Sequence, residues 1–146
     1  SLSFIVRDLE LHVADSGKPV VFMFHYGFDQ FGLQPRWWTD AHKEAFKEAI
    51  ASYNVVAILH GHTHATYQYT WEDYDVFNLG SPYYTNYNED GRGHFTVFRI
   101  TDTTFEVSDV AWTPQNEGND PVFGEWYQSK TLTPQCMNEN LPVCQN

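Results

Sequence analysis

The hydrophobic and polar positions of this chain follow a strand–helix–strand order over its first 60 residues. Residues 18–27 (KPVVFMFHYG) and 54–59 (NVVAIL) are apolar runs, and each predicts a strand buried on both faces. Between them, residues 40–53 repeat apolar side chains at helical spacing, and Thr39 is placed to cap that helix. This order predicts a right-handed βαβ unit with parallel strands.

Shorter segments with alternating polarity follow the βαβ unit. They predict two antiparallel pairs of strands, residues 66–71 with 75–79 and residues 94–100 with 104–110. Beyond residue 112 the composition becomes polar and irregular. We therefore divide the chain into a body at residues 1–112 and an irregular C-terminal extension at residues 113–146.

Three histidines lie where the two apolar runs end. His25 closes the first run, and His62 and His64 follow the second in the sequence Gly61-His62-Thr63-His64. Ligands of parallel sheets gather beyond the carboxyl ends of the strands, so the topology predicts that these three imidazoles converge at one sheet edge. Imidazole suits zinc, iron and similar ions. The neighbouring His60 is predicted to pack in the core or to form a backbone hydrogen bond, the alternative being that it orients a metal ligand.

The segments 21–27 (VFMFHYG), 58–69 (ILHGHTHATYQY) and 76–82 (VFNLGSP) resemble the calcineurin-like metallophosphoesterases, including purple acid phosphatases. The resemblance extends over residues 18–110. It implies an α/β fold, namely the C-terminal half of a four-layer α/β/β/α sandwich with a βαβ unit followed by antiparallel strands.

The resemblance also implies a dimetal phosphatase or phosphodiesterase. His25 and His62 would bind one metal ion and His64 would bind the other, the ions being divalent or of the Fe, Zn or Mn type. The implied reaction is hydrolysis of a phosphomonoester or phosphodiester substrate by a metal-bridging hydroxide.

The chain departs from the family upstream of His25. Complete members carry D-x-H, G-D-x-x-D and G-N-H-[DE] motifs there, which supply the other ligands and a catalytic histidine, and none of them precedes His25 here. We therefore expect the catalytic residues in a missing N-terminal half of the same protein, which would be the main partner of this chain. The chain alone is expected to be inactive.

The loop after His25 is rich in aromatic residues. Tyr26, Arg36 and Trp37 are candidates for binding substrate, with Arg36 pairing to phosphate. The alternative is that Trp37 and the adjacent Trp38 anchor the start of the helix to the core.

The net charge and the two cysteines bear on the binding partners and the cellular compartment of the protein. The net charge of −11 opposes binding to nucleic acid, although it is equally a solubility feature. The absence of a long apolar run predicts no membrane span.

Cys136 and Cys144 are predicted to form a disulfide that closes a small loop, with two free thiols as the alternative. A disulfide favours a secreted or otherwise extracytoplasmic protein.

Three hypotheses remain open at this point. The chain is the C-terminal half of a dimetal phosphoesterase, a non-catalytic binding or interaction module on the same fold, or a carrier of one structural zinc site. In the second case the aromatic loop would bind sugar or protein.

Overall fold

A computed structural model describes residues 2–28, 37–113 and 121–132. Its elements are α1 (Leu2–His12), β1 (Pro19–Tyr26), α2 (Asp40–Ile50), β2 (Asn54–Gly61), β3 (Tyr67–Trp71), β4 (Tyr74–Asn78), a short 3-10 helix (Thr85–Tyr87), β5 (Gly93–Ile100), β6 (Thr104–Trp112) and β7 (Val122–Thr131). The strands form a first sheet in the order β1-β2-β4-β3 and a second in the order β5-β6-β7. Within the described ranges, no helix is long and apolar enough to cross a bilayer.

The predicted βαβ unit is present. β1 and β2 pair in parallel, with Tyr26 opposite Gly61 at their carboxyl ends, and α2 connects them. The hydroxyl of Thr39 accepts a hydrogen bond from the backbone N–H of His42 at 3.2 Å, which satisfies one of the free donors of the first turn. The helix ends at Ile50 rather than at residue 53.

The molecule is built in layers around β2. Helix side chains, including Leu9, Phe46 and Ile50, pack with Ile58 on one face of the first sheet. Leu59 and its neighbours pack against the second sheet on the other face. β2 is therefore buried along almost its whole length, as its apolar run predicts. The α/β class is confirmed, and the described residues form a helix–sheet–sheet stack.

The prediction that β1 is buried on both faces is wrong. β1 is an edge strand, and its residues alternate between the helix layer and solvent. Phe22 and Phe24 pack against the helices, whereas Val21 and Met23 on the opposite face are 39% and 71% exposed. The second sheet covers β2 and β4 but leaves this face of β1 open.

Both antiparallel pairs are confirmed. β3 pairs with β4, and β5 pairs with β6 over nearly their whole lengths. The assignment of residues 113–146 to an irregular extension is wrong for Val122–Thr131, which form β7 and pair with β6. Helix α1 was not predicted, although Ile5 and Leu9 recur at helical spacing and both contact the core. Cys136 and Cys144 lie outside the described residues.

Candidate metal centre

The paired histidines His25 and His62 meet at the carboxyl ends of β1 and β2. Nε2 of His25 lies 3.2 Å from Nδ1 of His62, and the two rings meet edge to face with centroids 5.1 Å apart. The parallel register brings them together, because Tyr26 and Gly61 are opposite each other and each histidine adjoins one of them. The prediction that these two histidines share one sheet edge is confirmed.

The loop after β2, residues 61–65, is called here the histidine loop, and its backbone adopts an uncommon conformation. His62 has a φ of 76° and His64 a φ of 64°, both in the left-handed region that residues with a Cβ rarely adopt. Such conformations cost free energy and concentrate at functional sites. A glycine or an asparagine would adopt this conformation at a lower cost in free energy than a histidine.

The spacing of the pair fits one metal ion. Two nitrogens on a tetrahedral ion, each about 2.0–2.1 Å from the metal, are separated by about 3.3 Å. The 3.2 Å between the ring nitrogens of His25 and His62 is close to that value. Among the described residues, however, no group of three His, Cys, Asp or Glu side chains is placed to hold a metal ion. The same spacing also suits a hydrogen bond between the two rings, and as metal ligands the pair could fill two of four tetrahedral positions.

Residues at the end of β4 and just after it hold the histidine loop in place through hydrogen bonds. The side-chain amide of Asn78 donates hydrogen bonds to the hydroxyl of Thr63, at 2.6 Å, and to the carbonyl of Ala65. The backbone N–H of Ser81 donates to the carbonyl of His64 at 3.1 Å. Asn78 and Ser81 therefore fix the loop that carries His62 and His64.

His64 points to different neighbours from His62. Its ring stacks on Tyr84 at 4.3 Å with an interplanar angle of 5°, and Tyr87 meets it edge-on at 5.1 Å. Its Nδ1 is buried without a hydrogen-bond partner in the described part of the chain. His64 does not join His25 and His62 in a group of three metal-binding side chains among the described residues. Its role as ligand of a second ion stays a prediction.

His60 has the packing role predicted for it. It is 2% exposed, with Nε2 at 2.8 Å from the Tyr69 hydroxyl and Nδ1 at 3.2 Å from the Gly61 carbonyl. Burial lowers the pKa of His60, so its ring is neutral at pH 7. Gly27 lies so close that an added Cβ would be 2.2 Å from the His60 ring, which leaves no room for a side chain at residue 27.

Of the aromatic residues in and after the loop that follows His25, some lie beside the histidine pair and others pack in the core. Tyr26 and Trp37 stack at 3.9 Å, and both rings contact His62, with centroids at 4.6 Å and 5.3 Å. Trp38 instead packs against Phe24, and its indole N–H donates to the Tyr26 carbonyl at 2.8 Å. Tyr26 and Trp37 thus form one wall beside the histidine pair, while Trp38 anchors the helix start. Arg36 lies outside the described residues.

His94, on the second sheet, contacts two aspartates. Nδ1 of His94 is 2.5 Å from a carboxylate oxygen of Asp109, and its Nε2 is 3.1 Å from Asp90. Burial opposes the ionisation of Asp90, but bonds from the Arg92 backbone N–H and from His94 outweigh it and lower the pKa of Asp90. Sequence reasoning did not connect these residues, because only the pairing of β5 with β6 brings His94 and Asp109 together.

Comparisons with solved structures find similarity to part of this fold. Vps29 from Entamoeba histolytica, complexed with Zn²⁺, is 15% identical with a TM-score of 0.42, over 64% of this chain and 48% of that chain. A double mutant of that protein is 19% identical with a TM-score of 0.41, over 66% and 51%. Vacuolar Protein Sorting 29 from Cryptosporidium parvum is 10% identical with a TM-score of 0.40, over 64% and 46%.

The chain thus spans about half the length of the solved structures it matches. At these identities the likeness concerns the fold alone. No protein-family model and no curated protein sequence matches the chain.

Proposed function

We propose that His25 and His62 bind one metal ion, and that this chain is the C-terminal half of a dimetal phosphoesterase of the metallophosphoesterase kind. The observation that carries the proposal is the 3.2 Å separation of their ring nitrogens at adjoining strand ends. Bound metal ions in such a centre act as Lewis acids on a phosphate ester and lower the pKa of water.

The residues of this chain would hold and orient the reacting groups. His25 and His62 would bind one ion, and His64, whose carbonyl accepts a hydrogen bond from the backbone N–H of Ser81, would bind the other. The stacked rings of Tyr26 and Trp37 would exclude water from one side of the centre and contact the apolar part of a substrate. Arg36 would pair with the phosphate.

An N-terminal half of the same protein would complete the centre. β1 is the edge of the first sheet, and Val21 and Met23 on its open face are exposed. Exposed apolar edge strands are templates for pairing with another strand. We infer that a strand from the missing half pairs with the free edge of β1, and that other parts of this half cover Met23 and bring carboxylate ligands to the histidine pair.

The chain alone should not hydrolyse phosphate esters, because two histidines leave an ion without its remaining ligands. We expect purified residues 1–146 to show no turnover of p-nitrophenyl phosphate with added Zn²⁺ or Mn²⁺. The full-length protein should hydrolyse p-nitrophenyl phosphate or its bis ester, and His62→Ala should abolish that activity. Robust turnover by residues 1–146 alone would contradict the proposal.

A non-catalytic binding module on the same fold is the second candidate. It fits the described residues at least as well as catalysis, because they contain no group of three metal-binding side chains. Exposed aromatic residues such as Trp37, beside His62, and Tyr84, beside His64, would suit a binding surface. A full-length protein that binds metal but hydrolyses neither ester would contradict the expected phosphoesterase activity and favour this candidate.

We also propose that the protein is exported and that Cys136 and Cys144 form a disulfide. Bridges that close short loops persist in oxidising compartments. The intact mass of the chain, purified without reductant and treated with iodoacetamide, should show no alkylation. The same sample should gain two carbamidomethyl groups after reduction and unfolding, and alkylation before reduction would refute the bridge.

A further inference from the structure

Strand β4 ends directly beside the histidine loop. The chain passes through this loop from β2 to β3, and β4 lies between those two strands in the first sheet, so the loop crosses the carboxyl end of β4. Asn78, the last residue of β4, is opposite His60 of β2 on one side and Tyr67 of β3 on the other. Asn78 is 1% exposed, and its side chain is therefore buried where it can reach the backbone of the loop.

The side-chain amide of Asn78 donates two hydrogen bonds, one on each side of His64. It bonds the hydroxyl of Thr63 at 2.6 Å and the carbonyl of Ala65. A carbonyl can only accept, so the atom of Asn78 that faces Ala65 is the amide nitrogen and not the oxygen. The backbone N–H of Ser81 also donates to the carbonyl of His64 at 3.1 Å. Three consecutive residues of the loop are therefore each held from the end of β4 or just after it.

These hydrogen bonds act on the part of the loop whose backbone is least favourable. His64, with a φ of 64°, lies between the two residues that Asn78 bonds. His62, with a φ of 76°, directly precedes the first of them. A residue with a Cβ disfavours this left-handed conformation, so a loop without such bonds would spend part of its time in other conformations. Two bonds from one buried amide offset that tendency.

We propose that Asn78 is a positioning residue that holds the histidine loop in its left-handed conformation and thereby raises the metal affinity of His25 and His62, an inference that rests on the proposed metal site. The apparent affinity of a ligand that binds one conformation falls in proportion to the fraction of molecules in that conformation. Loss of Asn78 should therefore weaken metal binding although both imidazoles remain.

The alternative is that Asn78 only stabilises the fold, as any buried polar residue with a hydrogen bond does. Asn54 is the matched control for this role. It is 2% exposed, and its side-chain amide donates to the carbonyl of Gly17 at 3.3 Å. Asn54 begins β2, so it lies at the opposite end of that strand from the histidine loop. Asn54→Ala removes a buried amide of the same kind and leaves the loop unchanged.

The first measurement needs no metal ion. Hydrogen exchange of the Ser81 backbone amide, followed by NMR on the 146-residue chain, reports how often the loop opens, because this N–H is bonded to the carbonyl of His64. The amide should exchange at least about tenfold faster in Asn78→Ala than in Asn54→Ala, since only the former loses the bonds that hold the loop. Equal exchange rates in the two variants would overturn the proposal.

The second measurement is the zinc affinity of the chain, determined by competition with a chromophoric chelator. Asn78→Ala should weaken zinc binding about 10–100-fold, which is the usual cost of losing a group that orients a metal ligand. Asn54→Ala should leave zinc affinity within about twofold, because effects at distant sites are nearly independent.

Substitutions of His64 show whether Asn78 acts through the backbone conformation. Glycine adopts a positive φ readily, alanine does not, and neither carries an imidazole. While Asn78 is present, His64→Gly and His64→Ala should bind zinc at the His25–His62 pair equally within about twofold, because the loop is already held. Combined with Asn78→Ala, His64→Gly should bind zinc at least about fivefold more tightly than His64→Ala.

Failure of this inference can be distinguished from failure of the proposed metal site. If the unmodified chain binds no zinc, the proposed site is wrong, and the exchange of the Ser81 amide alone decides whether Asn78 holds the loop. If the chain binds zinc but Asn78→Ala binds it as tightly, Asn78 is not a positioning residue. The same conclusion follows if His64→Gly and His64→Ala remain equivalent in combination with Asn78→Ala.

Thr63→Val keeps the proposal testable if Asn78→Ala does not fold. This substitution removes one of the two groups that Asn78 bonds and leaves Asn78 in place. It should speed the exchange of the Ser81 amide at least about threefold, in line with the loss of one hydrogen bond. An unchanged exchange rate in a folded Thr63→Val chain would overturn the proposal.

Discussion

His62→Ala is expected to weaken zinc binding by the chain at least about a hundredfold, since loss of a direct ligand costs more than loss of an outer-shell partner. The ring of His62 faces that of His25 at 3.2 Å between nitrogens, and no third described metal-binding side chain can take its place. Competition titration against a chromophoric zinc chelator measures the change. His12→Ala, which removes a histidine that is 71% exposed on α1, is the matched control and should bind zinc normally.

His60→Ala separates metal binding from folding. His60 is buried and bonded to Tyr69, so its loss should lower the free energy of unfolding by about 2–4 kcal/mol through the cavity and the lost hydrogen bond. It should leave zinc affinity within about tenfold. His62→Ala should show the opposite pattern, with stability kept and zinc lost. A folded His60→Ala protein that binds zinc as poorly as His62→Ala would show that the ligands are misassigned.

Phe46→Ala is expected to lower the free energy of unfolding by about 3–5 kcal/mol, a large share of the stability of a domain this size. Phe46 is 1% exposed and its ring contacts Phe22, Phe24 and Trp38 between α2 and β1. Urea denaturation followed by circular dichroism measures the loss. Phe4→Ala, at a position 68% exposed on α1, should cost less than about 1 kcal/mol.

The difference between Phe46→Ala and Phe4→Ala tests whether the packing of α2 on the first sheet stabilises the fold. If both substitutions cost the same small amount, the aromatic contacts between α2 and the first sheet do not stabilise the fold. A loss confined to Phe46→Ala supports the packing of helix on sheet that also positions His25, because β1 carries both Phe24 and His25.

The sequence predicts an element correctly where the pattern of apolar residues within that element is enough to show which of its faces are buried. The unbroken apolar run of β2 and the helical spacing of α2 identify both elements, and both are confirmed. The run in β1 looks similar in sequence, yet Met23 is 71% exposed, because burial of an edge strand depends on what lies beside it. β7 was missed because its side chains are mostly exposed and its position is determined by pairing with β6.

The part of the candidate site that depends only on the order and direction of the strands was predictable from the sequence. His25 and His62 meet because parallel strands end at the same sheet edge. The position of His64 depends on the left-handed φ of its own backbone and on stacking with Tyr84, neither of which spacing can reveal. The pairing of His94 with Asp109 required the register of β5 on β6.

X-ray absorption spectroscopy of the chain loaded with one equivalent of Zn²⁺ tests the central claim most directly. The account predicts a shell with two imidazole nitrogens at about 2.0–2.1 Å, completed by water oxygens, and the loss of one imidazole in His25→Ala and in His62→Ala. A zinc shell that keeps both imidazoles in these variants, or one made of sulfur at about 2.3 Å from Cys136 and Cys144, would contradict it.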